Sequence, residues 1–140
     1  MKYIVGDIGN TSTKICILNS KFKIIKTFDF ETSKVYNVKY LKVVLKNYFE
    51  KNLNQNLLFS SVVPSAFKKI KKEFKFSKYK LLEIKDFDLR KIIKINVKNK
   101  QQLGSDRIAN AIGAKKFKNC LIIDFGTATT FDIIRNGVYE

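Results

Sequence analysis

A chain of 140 residues that is 45% hydrophobic and 29% charged fits a folded globular protein with a core of its own, and excludes an intrinsically disordered one. Its 28 Lys and Arg against 12 Asp and Glu give a net charge of +16, which invites a nucleic-acid partner. Only Arg90, Arg107 and Arg135 are arginines, so the charge reads as compositional bias toward lysine rather than as a polyanion-reading surface, which would favour guanidinium forks.

The short apolar run Tyr3-Ile4-Val5, the turn-prone Gly9-Asn10 and the alternating Lys14 to Leu18 predict a hairpin. After a turn at Asn19-Ser20, the residues Phe22, Ile24, Ile25, Phe28 and Phe30 predict a third strand. Val38, Leu41, Val44, Leu45, Tyr48 and Phe49 recur at helical spacing, which predicts a helix over 37–51 with one face on a core. A buried strand follows at 57–63 and ends at Pro64. Ser65 is then the expected N-cap of a basic helix over 66–74, with another strand at 79–84. The second half of 85–102 is polar and expected to be loop. A helix is predicted over 103–117, a buried strand at 121–125, a turn at 126–129 and a returning strand at 130–135 before Asn136-Gly137.

The residue inventory narrows the chemistry. With no His there is no Ser-His-Asp triad, no imidazole base and no His-containing zinc site, so carboxylates must carry any acid–base work. Cys16 and Cys120 lie far apart in apolar runs and without metal-ligand spacing, which predicts reduced core residues in a cytoplasmic protein. A charge at Asp7 interrupts the N-terminus before a signal-peptide core could form, and no apolar run reaches the length of about 18 residues needed to span a membrane.

Two segments repeat a pattern of strand, Asp, one residue, Gly, then Thr. They are Val5-Gly6-Asp7-Ile8-Gly9-Asn10-Thr11 and Ile122-Ile123-Asp124-Phe125-Gly126-Thr127-Ala128. Each puts a carboxylate at a strand end, a Gly that lets backbone approach a ligand, and hydroxyl and amide donors on the turn. Phosphate oxygens suit those donors, and the Asp suits a magnesium ion. The competing structural reading is an ordinary turn in which the Asp side chain caps its own backbone. Neither a P-loop nor a Gly-rich dinucleotide fingerprint is present.

Four ordered motifs resemble those of type III pantothenate kinase along the whole chain. They are Asp7-Ile8-Gly9-Asn10-Thr11-Ser12-Thr13-Lys14, Ser60-Ser61-Val62-Val63-Pro64, Gly104-Ser105-Asp106-Arg107-Ile108-Ala109-Asn110-Ala111 and Asp124-Phe125-Gly126-Thr127-Ala128-Thr129-Thr130. The resemblance implies the α/β fold of the actin, Hsp70 and sugar-kinase superfamily, with ribonuclease-H-like domains of βββαβα order. It implies a first domain at 1–117 and the opening hairpin of a second at 118–140, apparently truncated. It also implies ATP-dependent phosphorylation of pantothenate, the first step of coenzyme A synthesis.

By the same resemblance, Asp7, Ile8, Gly9, Asn10, Thr11, Ser12, Thr13 and Lys14 are expected to form the first phosphate loop, with Asp7 near Mg²⁺ through a water-bridged contact, and Thr127 to make the second phosphate contact. Gly104, Ser105, Asp106 and Arg107 bind substrate, and Asp106 is the general base. Asp124 is the ligand of a monovalent cation, K⁺ or NH₄⁺. A cytoplasmic homodimer is implied, with no membrane partner. The chain departs from the family at Val97 and Lys100, where a substrate-facing Tyr and a Pro are usual, which implies a weaker hold on pantothenate. The alternatives are a non-catalytic relative resembling transcriptional accessory factors and, less favoured, a nucleic-acid-binding module tracking phosphates with Lys68-Lys69, Lys71-Lys72 and Lys115-Lys116.

Overall fold

The computed structural model describes residues 1–46, 54–74 and 78–140. These divide into two compact units, Met1–Glu83 and Ile84–Glu140.

In the first unit, strands β1 (Tyr3–Ile8), β2 (Ser12–Leu18) and β3 (Ile24–Glu31) form an antiparallel meander. Helix α1 (Val38–Lys46), β4 (Asn56–Ser61), α2 (Pro64–Glu73) and β5 (Lys80–Glu83) follow, and the sheet runs β3-β2-β1-β4-β5. Strand β4 lies parallel to β1, and β5 parallel to β4. The expected βββαβα order is therefore present. Strand alternation puts Ile4 and Ile8 of β1, Ile15 and Ile17 of β2, and Leu57 and Phe59 of β4 on one face, where they pack with Leu41, Phe67 and Ile70 of the helices. Gly6 is required there because a Cβ at that position would overlap the Phe59 ring.

Local chemistry sets the boundaries. The Asn37 side chain accepts a 3.1 Å hydrogen bond from the Tyr40 amide and caps α1. The rest of the expected helix, 47–51, falls outside the described residues. Ser65 is not the cap of α2. Pro64 occupies the first helical turn, where its missing N–H costs nothing, and Val63 precedes it, while Ser65 Oγ lies 2.7 Å from the Tyr36 hydroxyl. Phe22 belongs to the turn before β3, with φ of 58°.

The second unit holds β6 (Lys94–Ile95), α3 (Ser105–Gly113), β7 (Cys120–Phe125), β8 (Thr129–Arg135) and β9 (Val138–Tyr139), in the sheet order β6-β9-β8-β7. Short 3-10 turns at Ile84–Asp86, Leu89–Lys91 and Lys100–Gln102 interrupt what the sequence suggested was strand and loop. Asn136 and Gly137 take φ of 51° and 76° and close the β8–β9 hairpin, the backbone demanded by a tight primed turn.

The compact units part at 83/84. The reason is packing: Ile108 and Ala111 of α3 share a core with Ile84, Ile93, Ile134 and Tyr139, so α3 belongs with the hairpin that follows it. Nor is β7 a buried strand. Its burial alternates, and Leu121, Ile123 and Phe125 stand exposed with Phe131 and Ile133 of β8, Phe125 by 80%. Cys16 and Cys120 are free thiols but only partly buried.

Candidate functional site

The first loop, between β1 and β2, is braced from inside. Thr13 and Thr32 are 0% and 3% exposed, and their hydroxyl oxygens lie 2.9 Å apart. Thr32 Oγ1 donates to the Gly9 carbonyl at 2.7 Å, which uses its only proton, so Thr13 is the donor to Thr32. The Thr32 amide donates to Thr11 O, and the Gly9 amide to Ser12 O, both at 2.9 Å. Three carbonyls of the loop are thus occupied, an arrangement that suits an outer surface presenting donors to phosphate oxygens.

The candidate loop residues consequently divide into two sets. Ile8 and Thr13 have their side chains turned into the core. Asp7, Asn10, Thr11, Ser12 and Lys14 are exposed, and Gly9 is half-buried. Lys14 Nζ lies 3.9 Å from Asp29, an exposed pair worth at most about 1 kcal/mol, too little to withhold the ammonium from a polyanion. Asp7 is in register with Lys14 on one side and Ser60 on the other, so the three share one sheet face at the ends of the parallel strands. Ser60 Oγ is buried there without a hydrogen-bond partner among the described residues.

The second group sits on α3 and the β7–β8 hairpin. Gly104 is the backbone cap of α3, and Asp106 lies in its first turn, where the helix dipole favours a carboxylate. Asp106 Oδ1 accepts the Arg107 amide at 2.8 Å, while Ser105 is buried. One turn apart on α3, two polar side chains hold the hairpin. Arg107 Nε donates to Asp132 Oδ1 at 2.6 Å and Nη2 to the Phe131 carbonyl at 3.0 Å, and Asn110 Nδ2 donates to Asp124 Oδ2 at 3.2 Å. Asp132 is 0% exposed, its Oδ1 also accepts the Tyr139 hydroxyl at 2.5 Å, and its Oδ2 has no hydrogen-bond partner among the described residues.

Electrostatics follow from this packing. Burial opposes the Arg107 charge, but the hydrogen bond and charge of Asp132 outweigh it and raise its pKa. Burial, then the hydrogen bond to Asp132, pushes the Tyr139 phenol well above the ordinary range. Thr127 is exposed on the hairpin turn, where the Gly126 amide donates to Ala128 O at 3.2 Å. Val97 packs against the second core, and Lys100 stands exposed.

The donor chemistry fits the ions that the resemblance implies. No cluster of three His, Cys, Asp or Glu side chains capable of holding a metal occurs among the described residues. Magnesium does not need one, because it typically takes one or two carboxylates with phosphate oxygens and water, and Asp7 beside the orphaned Ser60 hydroxyl suits that role. Asp124 offers one carboxylate oxygen beyond its bond to Asn110, a single donor for a monovalent cation. A cavity of about 510 Å³ lined by Lys68, Lys71, Lys72, Phe74, Tyr79 and Lys80 contains none of the residues named for the kinase reading, though three of its lysines belong to the segments named for the nucleic-acid alternative.

Sequence reasoning missed Thr32, Asp132 and Tyr139. Thr32 and Tyr139 lie outside the four motifs, and Asp132 lies two residues past the last one. A polar residue inside the alternating strand at 130–135 was the available signal for Asp132.

Residues 3–140 match the family model described as type III pantothenate kinase. The type III pantothenate kinase of Pelagibacter ubique is 49% identical over 143 aligned residues, covering 98% of this chain and 56% of the relative. That of Fervidobacterium nodosum is 33% identical, with coverage of 98% and 56%. The chain thus spans about half the length of the curated relatives it matches.

Among solved structures, a ROK family glucokinase from Streptomyces griseus in complex with glucose and AMPPNP aligns with a TM-score of 0.53 at 12% identity, over 100% of this chain and 46% of the other. A reductive activator for a corrinoid, iron-sulfur protein gives 0.53 at 12% identity, over 96% and 29%. These two likenesses concern the fold alone, that of sugar kinases and actin-like ATPases. Because the family model matches residues 3–140 of the 140 here, this chain belongs to the type III pantothenate kinase family.

Proposed function

We propose that this chain takes part in ATP-dependent phosphorylation of pantothenate to 4′-phosphopantothenate, the first step of coenzyme A biosynthesis. The observation that carries the reading is the family match over residues 3–140, which includes all four motifs. Phosphoryl transfer asks a protein mainly for alignment and charge stabilisation. The first loop, with its carbonyls tied back, offers amides, Thr11 and Lys14 to the phosphates of ATP. Thr127 supplies a second phosphate contact.

Asp106 accepts the proton of the attacking primary hydroxyl, and Arg107 beside it holds the substrate. Asp7 would hold Mg²⁺, which would neutralise charge on the phosphates, and Asp124 would hold K⁺ or NH₄⁺ as the monovalent counterpart. The resemblance further supports a homodimer working in the cytoplasm. None of the described helices is long and apolar enough to cross a membrane.

The test is coupled ADP release by the purified chain with and without pantothenate. Pantothenate-dependent turnover that is lost in Asp106→Asn is the expected result. Release that is independent of pantothenate, or that survives Asp106→Asn, overturns the assignment. Saturable ATP binding without turnover marks a non-catalytic relative instead.

A further inference from the structure

We propose that Asp132 is a positioning residue that aims the Arg107 guanidinium at an anionic substrate group, an inference that rests on the role of Arg107 in the function proposed above. The argument begins with how the five N–H donors of Arg107 are used. Nε bonds the Asp132 carboxylate and one Nη2 hydrogen bonds the Phe131 carbonyl, so both anchors come from adjacent residues of β8. The Tyr139 hydroxyl also interacts with the guanidinium, and the Arg107 side chain is still 36% exposed. A guanidinium fixed along one edge and open along the other is a preorganised receptor for a carboxylate, which matches a fork bidentately.

Stability alone does not account for the arrangement. A buried ion pair seldom improves on well-packed apolar side chains, because desolvation consumes the Coulombic gain. Here the carboxylate is 0% exposed and leaves Oδ2 without a hydrogen bond among the described residues. Tyr139 adds a second donor to Oδ1, which fixes the carboxylate that in turn fixes Arg107. Asp132 therefore acts through Arg107 and touches no substrate itself. The anionic group that this edge would take is the carboxylate of pantothenate.

The test uses the isotope-labelled chain, in which Arg90, Arg107 and Arg135 give three side-chain Nε–H signals. The Arg107 signal should exchange slowly with solvent, unlike that of exposed Arg135, whose ion pair with Glu140 runs through Nη1 and not Nε, and should shift on titration with pantothenate. Asp132→Asn should speed that exchange and weaken pantothenate binding roughly ten- to a hundredfold, the loss expected for one charge-assisted contact. If turnover is measurable, the effect should fall on KM, with kcat at saturation changed by less than about threefold.

Ile134→Ala, buried on the same strand and making none of the hydrogen bonds to the guanidinium or to Asp132, controls for simple destabilisation and should bind pantothenate as the parent does. Binding unchanged in Asp132→Asn, or weakened equally in Ile134→Ala, overturns the inference. An Arg107 signal unprotected in the parent chain refutes the clamp and leaves the substrate assignment standing. A protected signal that ignores pantothenate refutes the substrate assignment and the inference with it.

Discussion

Replacing Thr32 with Val tests whether the first loop is held from within. Val keeps the shape of Thr but removes the hydroxyl that accepts from Thr13 and donates to the Gly9 carbonyl. Thr13, 0% exposed, then holds a hydroxyl proton with nowhere to go, and Gly9 O loses its 2.7 Å partner. A stranded buried polar group costs about 1–3 kcal/mol. Gly9 is only half-buried and water can partly replace its bond, so the sum is about 2–4 kcal/mol.

Thr13→Val alone removes only the first link and should cost about 0.5–1.5 kcal/mol. The double variant leaves no stranded donor and should lose about 1–2 kcal/mol, so the two substitutions couple by about 2.5 kcal/mol at the middle of these ranges and by at least about 0.5 kcal/mol. Urea unfolding of the parent, both single variants and the double variant completes the cycle. Thr32→Val costing less than about 0.5 kcal/mol, or additive effects, would refute the hydroxyl relay as the brace of the loop.

Two further outcomes follow from the packing. Gly6→Ala drives a methyl into the Phe59 ring and should destabilise the first unit by about 1–3 kcal/mol or more, measured by thermal melting; a paired Gly6→Ala/Phe59→Leu variant should recover part of that loss. Because the folded pKa of Tyr139 is raised, the stability it contributes is complete below the unfolded value of about 10 and is lost as pH rises above it. Urea titrations at about pH 8 and about pH 11 should therefore show a larger alkaline loss for the parent than for Tyr139→Phe, and equal losses would remove the buried phenol from the account.

Much of the fold was legible because it depends on local pattern. The meander at the start, the amphipathic stripe of α1, the basic helix after Pro64 and the Asn136-Gly137 turn each carry their signal within a few residues. Boundaries were less legible where competing local chemistry decided them. Pro64 took the first turn of α2 and displaced Ser65 from the cap, and the mixed segment 85–102 resolved into 3-10 turns around a two-residue strand.

For the candidate site, the sequence by itself determined which residue types stand in which order: two Asp-x-Gly-Thr hairpins, a Gly-x-Asp-Arg helix start, and no histidine to serve as a base. Tertiary structure alone decided which of those side chains remain available. It turned Ile8 and Thr13 inward, tied Thr32 to Gly9 across 23 residues of sequence, and moved α3 into the unit of the hairpin that follows it. It also placed Asp132 against Arg107, 25 positions away. Hydrogen bonds between distant residues leave no periodic mark on a sequence, because their partners become neighbours only when strands pair and a helix docks on them.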